Sequence, residues 1–172
     1  MRAFVLGFVA ATILIPAAAV TYVRLGFVDP RADIPVSAIE QRIAMPSLDA
    51  SVERRAPRGA FDRDASDTAL VAGMKTYEAH CASCHGDGAR PDAALATALY
   101  PRPPQFVREA PDMPAHENFY IIKHGIRMSG MPAWGHVLSD REMRELTAFL
   151  SHMDRLPAPV DSDWKAGVAR SR

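Results

Sequence analysis

EAHCASCHGDGAR, residues 78–90, is the stretch on which the reading of this chain turns. Cys81 and Cys84 stand three apart, and His85 follows the second directly. Such a group can grip zinc, form a redox disulfide or hold a haem, and each outcome demands a different chain around it.

A structural zinc site takes four ligands, typically two such pairs, and this chain has 2 cysteines in total. His80, His85, His116, His124, His136 and His152 do not supply the two-histidine spacing that accompanies the pair. A thioredoxin-type disulfide sits at the start of a helix that follows a strand. Here the pair ends a helical pattern in which Leu70, Met74, Tyr77 and Cys81 recur at helical spacing after Ser66, a suitable N-cap. Haem attachment fits that setting. Positions i, i+3 and i+4 of a helix share a face, so Cys81, Cys84 and His85 project to one side. Two thiols can then add to the vinyl groups of one haem while the imidazole reaches its iron. Cys-x-x-Cys-His is the signature of c-type haem attachment, and it uses both cysteines.

Downstream, Gly, Ala and Pro dominate from Gly86 to about Ala115, predicting a long ordered loop, which is unusual unless something fills the space it encloses. HENFYIIKHG, residues 116–125, predicts a second helix with Phe119 and Ile122 on its apolar side and Gly125 as its stop. After the SGMPAWG loop, Ser139 and Glu142 form a capping box. It opens a helix through Met143, Leu146, Phe149, Leu150 and Met153 that ends before Pro157 and Pro159. No run alternates with period two, so the expected fold class is all-α, with three to five short helices around one covalently bound haem. A domain of this size has little apolar area of its own to bury, and a large central cofactor makes up the lack.

The first 25 residues carry Arg2 and then no charge until Arg24. As a helix, residues 3–23 span about 31 Å, matching a bilayer's hydrocarbon core. Small residues at Ala17-Ala18-Ala19 also suit a signal peptidase, so a cleaved signal peptide is the alternative to an anchor. Either takes the rest of the chain out of the cytoplasm. The expected organisation is an anchor or signal peptide at 1–25, a Pro-rich tether at 26–62 with short turns near 34–43 and 48–52, the haem domain at 63–158 and a C-terminal tail at 159–172. Lys plus Arg and Asp plus Glu both number 20, and no basic stripe occurs, so nucleic acid is not an expected partner.

Opposite His85 the iron needs a second axial ligand or stays open. Thioether sulfur is soft and suits ferrous iron. Met74, Met143 and Met153 sit on helical apolar faces and read as core filler. Met131 lies between Gly130 and Pro132 in a restrained loop and is the candidate, with Met128 as its rival. A histidine from His116, His124 or His136 is the remaining alternative.

Together these residues resemble the class I monohaem c-type cytochromes, in particular membrane-tethered ones similar to the haem domains of bacterial haem-copper oxidase subunits. The similarity runs from about Ala69 to Leu156: a helix carrying Gly73 and Tyr77 into CASCHG, a proline-containing loop, a middle helix, GMPAWG, and a last helix with Leu146 and Phe149. It implies a cytochrome c fold in which first and last helices cross at Gly73, Tyr77 and Phe149. It also implies one haem c bound covalently through Cys81 and Cys84, with iron ligands His85 and Met131. The carbonyl of Pro104 would accept the other N–H of His85, with Pro103 or Pro101 in its place if the register shifts. Trp134 either borders the haem or is an ordinary core aromatic. Arg102 and Arg127 either neutralise propionates or are solvated.

The function so implied is one-electron transfer in a bacterial respiratory chain, from a quinol-oxidising complex or dehydrogenase to a terminal oxidase or reductase. Such a protein is a carrier or a subunit of a redox complex and not an enzyme in itself. It has redox-protein partners and a membrane but no small-molecule substrate. The expected place is the inner membrane with the haem domain on the periplasmic side, or the soluble periplasm after cleavage. The alternative is a haem-based sensor or ligand-binding protein with a labile sixth ligand.

Overall fold

The computed structural model describes residues 1–88 and 90–170. Among them all regular structure is helical: seven α-helices and two 3-10 turns, with no strand. The chain divides into two compact units, Met1–Arg31 and Ala32–Arg172.

The first unit is helix α1, Arg2–Arg24, closed by a turn at Gly26. Its 23 residues extend about 35 Å, enough to cross a bilayer's hydrocarbon core, and none of its side chains is buried. Pro16 lies inside it, a substitution that membrane helices tolerate.

The second unit comprises α2 (Ala38–Arg55), α3 (Asp67–His80), α4 (Ala82–His85), α5 (Ala115–His124), α6 (Asp140–Ser151) and α7 (Ala158–Arg170), with 3-10 turns at Ala94–Ala98 and Trp134–His136. Its centre is the packing of α3 on α6. Ser66 caps α3, its hydroxyl accepting from the Ala69 amide at 3.3 Å. Leu70, Gly73, Met74 and Tyr77 then form one buried face, the period-3.6 stripe expected of a core helix. Facing it, Met143, Leu146, Phe149 and Leu150 of α6 are buried in turn. A methyl group built on Gly73 would lie 2.1 Å from the Glu145 carbonyl oxygen and 2.9 Å from Cβ of Phe149. Only glycine permits so close a crossing. Tyr77 and Phe149, both fully buried, meet beside it with ring centroids 5.6 Å apart. Each aromatic removed from water there contributes about 2–3 kcal/mol.

The capping box that opens α6 is complete: Ser139 Oγ accepts from the Glu142 amide at 3.3 Å, and Glu142 accepts from the Ser139 amide at 2.8 Å. The Ser139 hydroxyl, and then its amide, hold the Glu142 carboxyl below its ordinary value of 4.5. A depressed folded-state pKa gives stability that is present above the unfolded value and lost as pH falls through the folded one. Glu142→Gln keeps an acceptor but loses the charge. It should therefore lower the melting temperature at neutral pH and melt together with the wild type in strong acid, a comparison that thermal scans from pH 7 to pH 2 would make.

Two segments depart from the sequence expectation. The short turns expected near 34–43 and 48–52 are one helix, α2, which runs through Pro46. Ser37 caps it by accepting from the Glu40 amide at 3.2 Å. At its far end Val52 and Ala56 are buried, and Phe61 stacks on Phe119 of α5 at 4.4 Å beneath the Arg144 guanidinium. That tertiary burial offsets the mid-helix proline. Residues 159–170, expected as a tail, are instead part of α7. Helix α6 already ends at Ser151, and Pro157 and Pro159 stand at the start of α7, where the first turn of a helix needs no N–H from them. Val160 packs on Leu70 and Ala148, and Trp164 packs on Tyr77 and Phe149.

Candidate haem site

Helix α3 breaks at Cys81, whose backbone (φ −113°, ψ −36°) ends one helix and begins the next. The Cys81 carbonyl accepts from the Cys84 amide at 3.0 Å and from the His85 amide at 2.9 Å, so the three residues occupy one helical turn. Both thiols are free and half-buried. Burial, reinforced by Cys84, pushes the Cys81 thiol up to about 12, so it is protonated at neutral pH.

His85 is fixed from two sides. Its Nδ1 lies 2.8 Å from the Pro104 carbonyl oxygen, to which it donates in the tautomer that leaves Nε2 unprotonated. Its ring lies parallel to Phe106, with centroids 4.4 Å apart and planes 2° apart. The Phe106 amide donates to the His85 carbonyl at 3.1 Å. Burial lowers the imidazole's pKa against the opposing pull of Pro104, which favours the neutral ring that a metal ligand must be.

Gln105 is a residue that sequence reasoning passed over. Its amide donates to the carbonyls of Cys84 at 3.0 Å and Pro103 at 2.8 Å, and its oxygen accepts from the Ala93 amide at 2.7 Å. One side chain thus ties the proline loop to the turn that carries the cysteines. A polar residue set between Pro104 and Phe106 was the available signal. An ion pair between Asp92 and Arg108 closes the same loop at the surface.

The two methionines of the GMPAW region differ. Met128 is 90% exposed and adopts a left-handed φ of 62°. Met131 is half-buried in a pinned loop. Its carbonyl accepts from the Ile126 amide at 3.1 Å, and its amide donates to Ser129 Oγ at 3.1 Å. Gly125, at φ 65°, is the glycine this loop cannot replace: a methyl group there would lie 2.7 Å from the Met131 carbonyl oxygen. At Gly130, by contrast, a methyl group would first meet the Leu99 side chain, at 2.9 Å. Trp134 sits 5.0 Å from the His80 ring, and Arg102, Arg127, His124 and His136 are exposed.

Among the described residues no three His, Cys, Asp or Glu side chains converge as a metal-holding group. Residues 68–150 match the model of the family described as cytochrome c oxidase, cbb3-type, subunit III. These residues form a c-type cytochrome domain. It is related to that haem-copper oxidase subunit, and its chemistry is haem-based electron transfer. A search of curated proteins returns no match to the chain. The donor set of the cytochrome domain fits haem c: two unpaired thiols and a neutral imidazole with its outer nitrogen engaged. The crossing of the cytochrome's first and last helices falls at Gly73, Tyr77 and Phe149, as the resemblance implied.

Proposed function

We propose that this protein is a membrane-tethered one-electron carrier of a bacterial respiratory chain. It takes electrons from a quinol-oxidising complex or dehydrogenase and passes them to a terminal oxidase or reductase, with its cytochrome domain on the periplasmic side of the inner membrane. The observation that carries this reading is the bond from His85 Nδ1 to Pro104, on the same turn as two free thiols. Haem c supplies a single iron(III)/iron(II) couple when bound. Cys81 and Cys84 would hold it through thioethers, and His85 would offer Nε2 to the iron. Pro104 and Phe106 keep that ring from turning, so the ligand needs no reorganisation when the charge changes. Met131 would supply its thioether to the iron as the second protein ligand. Its half-buried place in a pinned loop supports it over Met128. Iron held by two protein ligands in this way would have no position for a substrate, which suits a carrier.

Met131→Ala should keep one haem by intact mass while losing the long-wavelength methionine–iron absorption band of the ferric protein. Retention of that band would transfer the role to Met128. A wild-type protein without the band, whose ferrous form binds carbon monoxide rapidly, would replace the carrier by a haem-based sensor. Intact mass of protein extracted from membranes also reads whether residues 1–19 remain.

A further inference from the structure

The match to the cytochrome family covers residues 68–150 and stops before α7, Ala158–Arg170. That helix nevertheless reaches the haem-attachment loop. Trp164 is 6% exposed and meets Tyr77 edge-on at 5.7 Å and Phe149 at 5.4 Å. The Tyr77 hydroxyl donates to the Gly86 carbonyl at 2.8 Å, in the segment directly after His85. Two residues further on, Gly88 packs against Trp164: a methyl group built there would meet its carbonyl oxygen at 3.1 Å and Cε2 and Nε1 of its indole at 3.2 Å. Gly86 itself takes φ 83°, with the Pro91 and Arg90 carbonyls against it. The segment 86–88 is thus held by the tyrosine hydroxyl at one end and the indole at the other. Val160, fully buried against Leu70 and Ala148, fixes the helix that delivers the indole.

We infer that Trp164 is a positioning residue for the haem site, bracing the segment after His85 and so limiting the entry of water to the site. The inference rests on the haem reading of Cys81, Cys84 and His85. Water near the iron favours the more highly charged ferric state, so a seal at this point raises the reduction potential. The bond from His85 to Pro104 comes from a different loop, held by Gln105.

The test uses the full chain carrying Trp164→Ala, Trp164→Phe or Gly88→Ala, read by intact mass, visible spectrum and spectroelectrochemical titration. All should carry one haem. The potential should fall in Trp164→Ala, fall by less in Gly88→Ala, and recover at least half of the loss in Trp164→Phe. A folded, low-spin Trp164→Ala protein at the wild-type potential would overturn the brace. Should that variant fail to fold, wild-type potentials in both Trp164→Phe and Gly88→Ala would overturn it equally. A wild-type chain without haem defeats the haem reading and the brace with it, whereas a haem-bearing wild type with unmoved variants defeats the brace alone.

Discussion

A chain carrying His85→Ala is expected to lose the normal low-spin haem spectrum, with the low-spin fraction falling at least about tenfold. The residue sits where nothing else can substitute. Its Nδ1 is committed to Pro104 and its ring to Phe106, so the pocket it fills is shaped for an imidazole held at one angle. Other histidines are engaged or distant from that turn: His80 lies against Trp134, His116 lies beside Glu117, and His124 lies against Tyr120. Cys81 and Cys84 survive in the variant, so haem can still attach, and mass separates loss of ligation from loss of the group. Ferric and ferrous visible spectra are the measurement, and a wild-type spectrum would remove His85 from its assigned role.

Gly73→Ala should destabilise the domain more than any other single methyl group added to it. The obstacle is the Glu145 carbonyl, 2.1 Å from the new carbon, and backbone does not swing aside as a side-chain tip does. Relief requires the two helices to part, which loosens Tyr77 from Phe149 and, with them, Trp164. Overpacking commonly costs about 1–3 kcal/mol, and a backbone obstacle puts this site at or beyond the upper end. For a domain of this size that is a fall in Tm of at least about 10 °C, read by circular dichroism. A melting point within a few degrees of the wild type would show that the crossing has slack.

Much of this arrangement was legible because the chemistry is local. Cys81, Cys84 and His85 are one helical turn in sequence and in space, and the capping box at Ser139 is written in four consecutive residues. Pro104 as the partner of His85 was reachable only through the family resemblance, since a contact across a loop leaves no periodic trace. Periodicity failed at α2 and α7 for a shared reason. Among the described residues each presents one or two large side chains to the core, Val52 in one and Val160 with Trp164 in the other, too few to form a stripe. Proline at 46, 157 and 159 then read as punctuation, although burial elsewhere overrides the first and the last two stand where a helix begins. Gln105 escaped notice because its role is three bonds to backbone groups distant in sequence.

The fusion of α2 into the second unit has a consequence for how far the cytochrome can travel. The unit begins at Ala32, and α1 ends at Arg24, so with α1 in a bilayer only residues 25–31 join the two. Seven residues stretch at most about 25 Å, and Gly26 already folds part of that length into a turn. The leash is short. On the proposed reading, in which α1 stays in the membrane, so short a tether raises the effective concentration of the cytochrome for membrane-embedded partners. Lengthening residues 25–31 with a flexible insert would then lower that effective concentration.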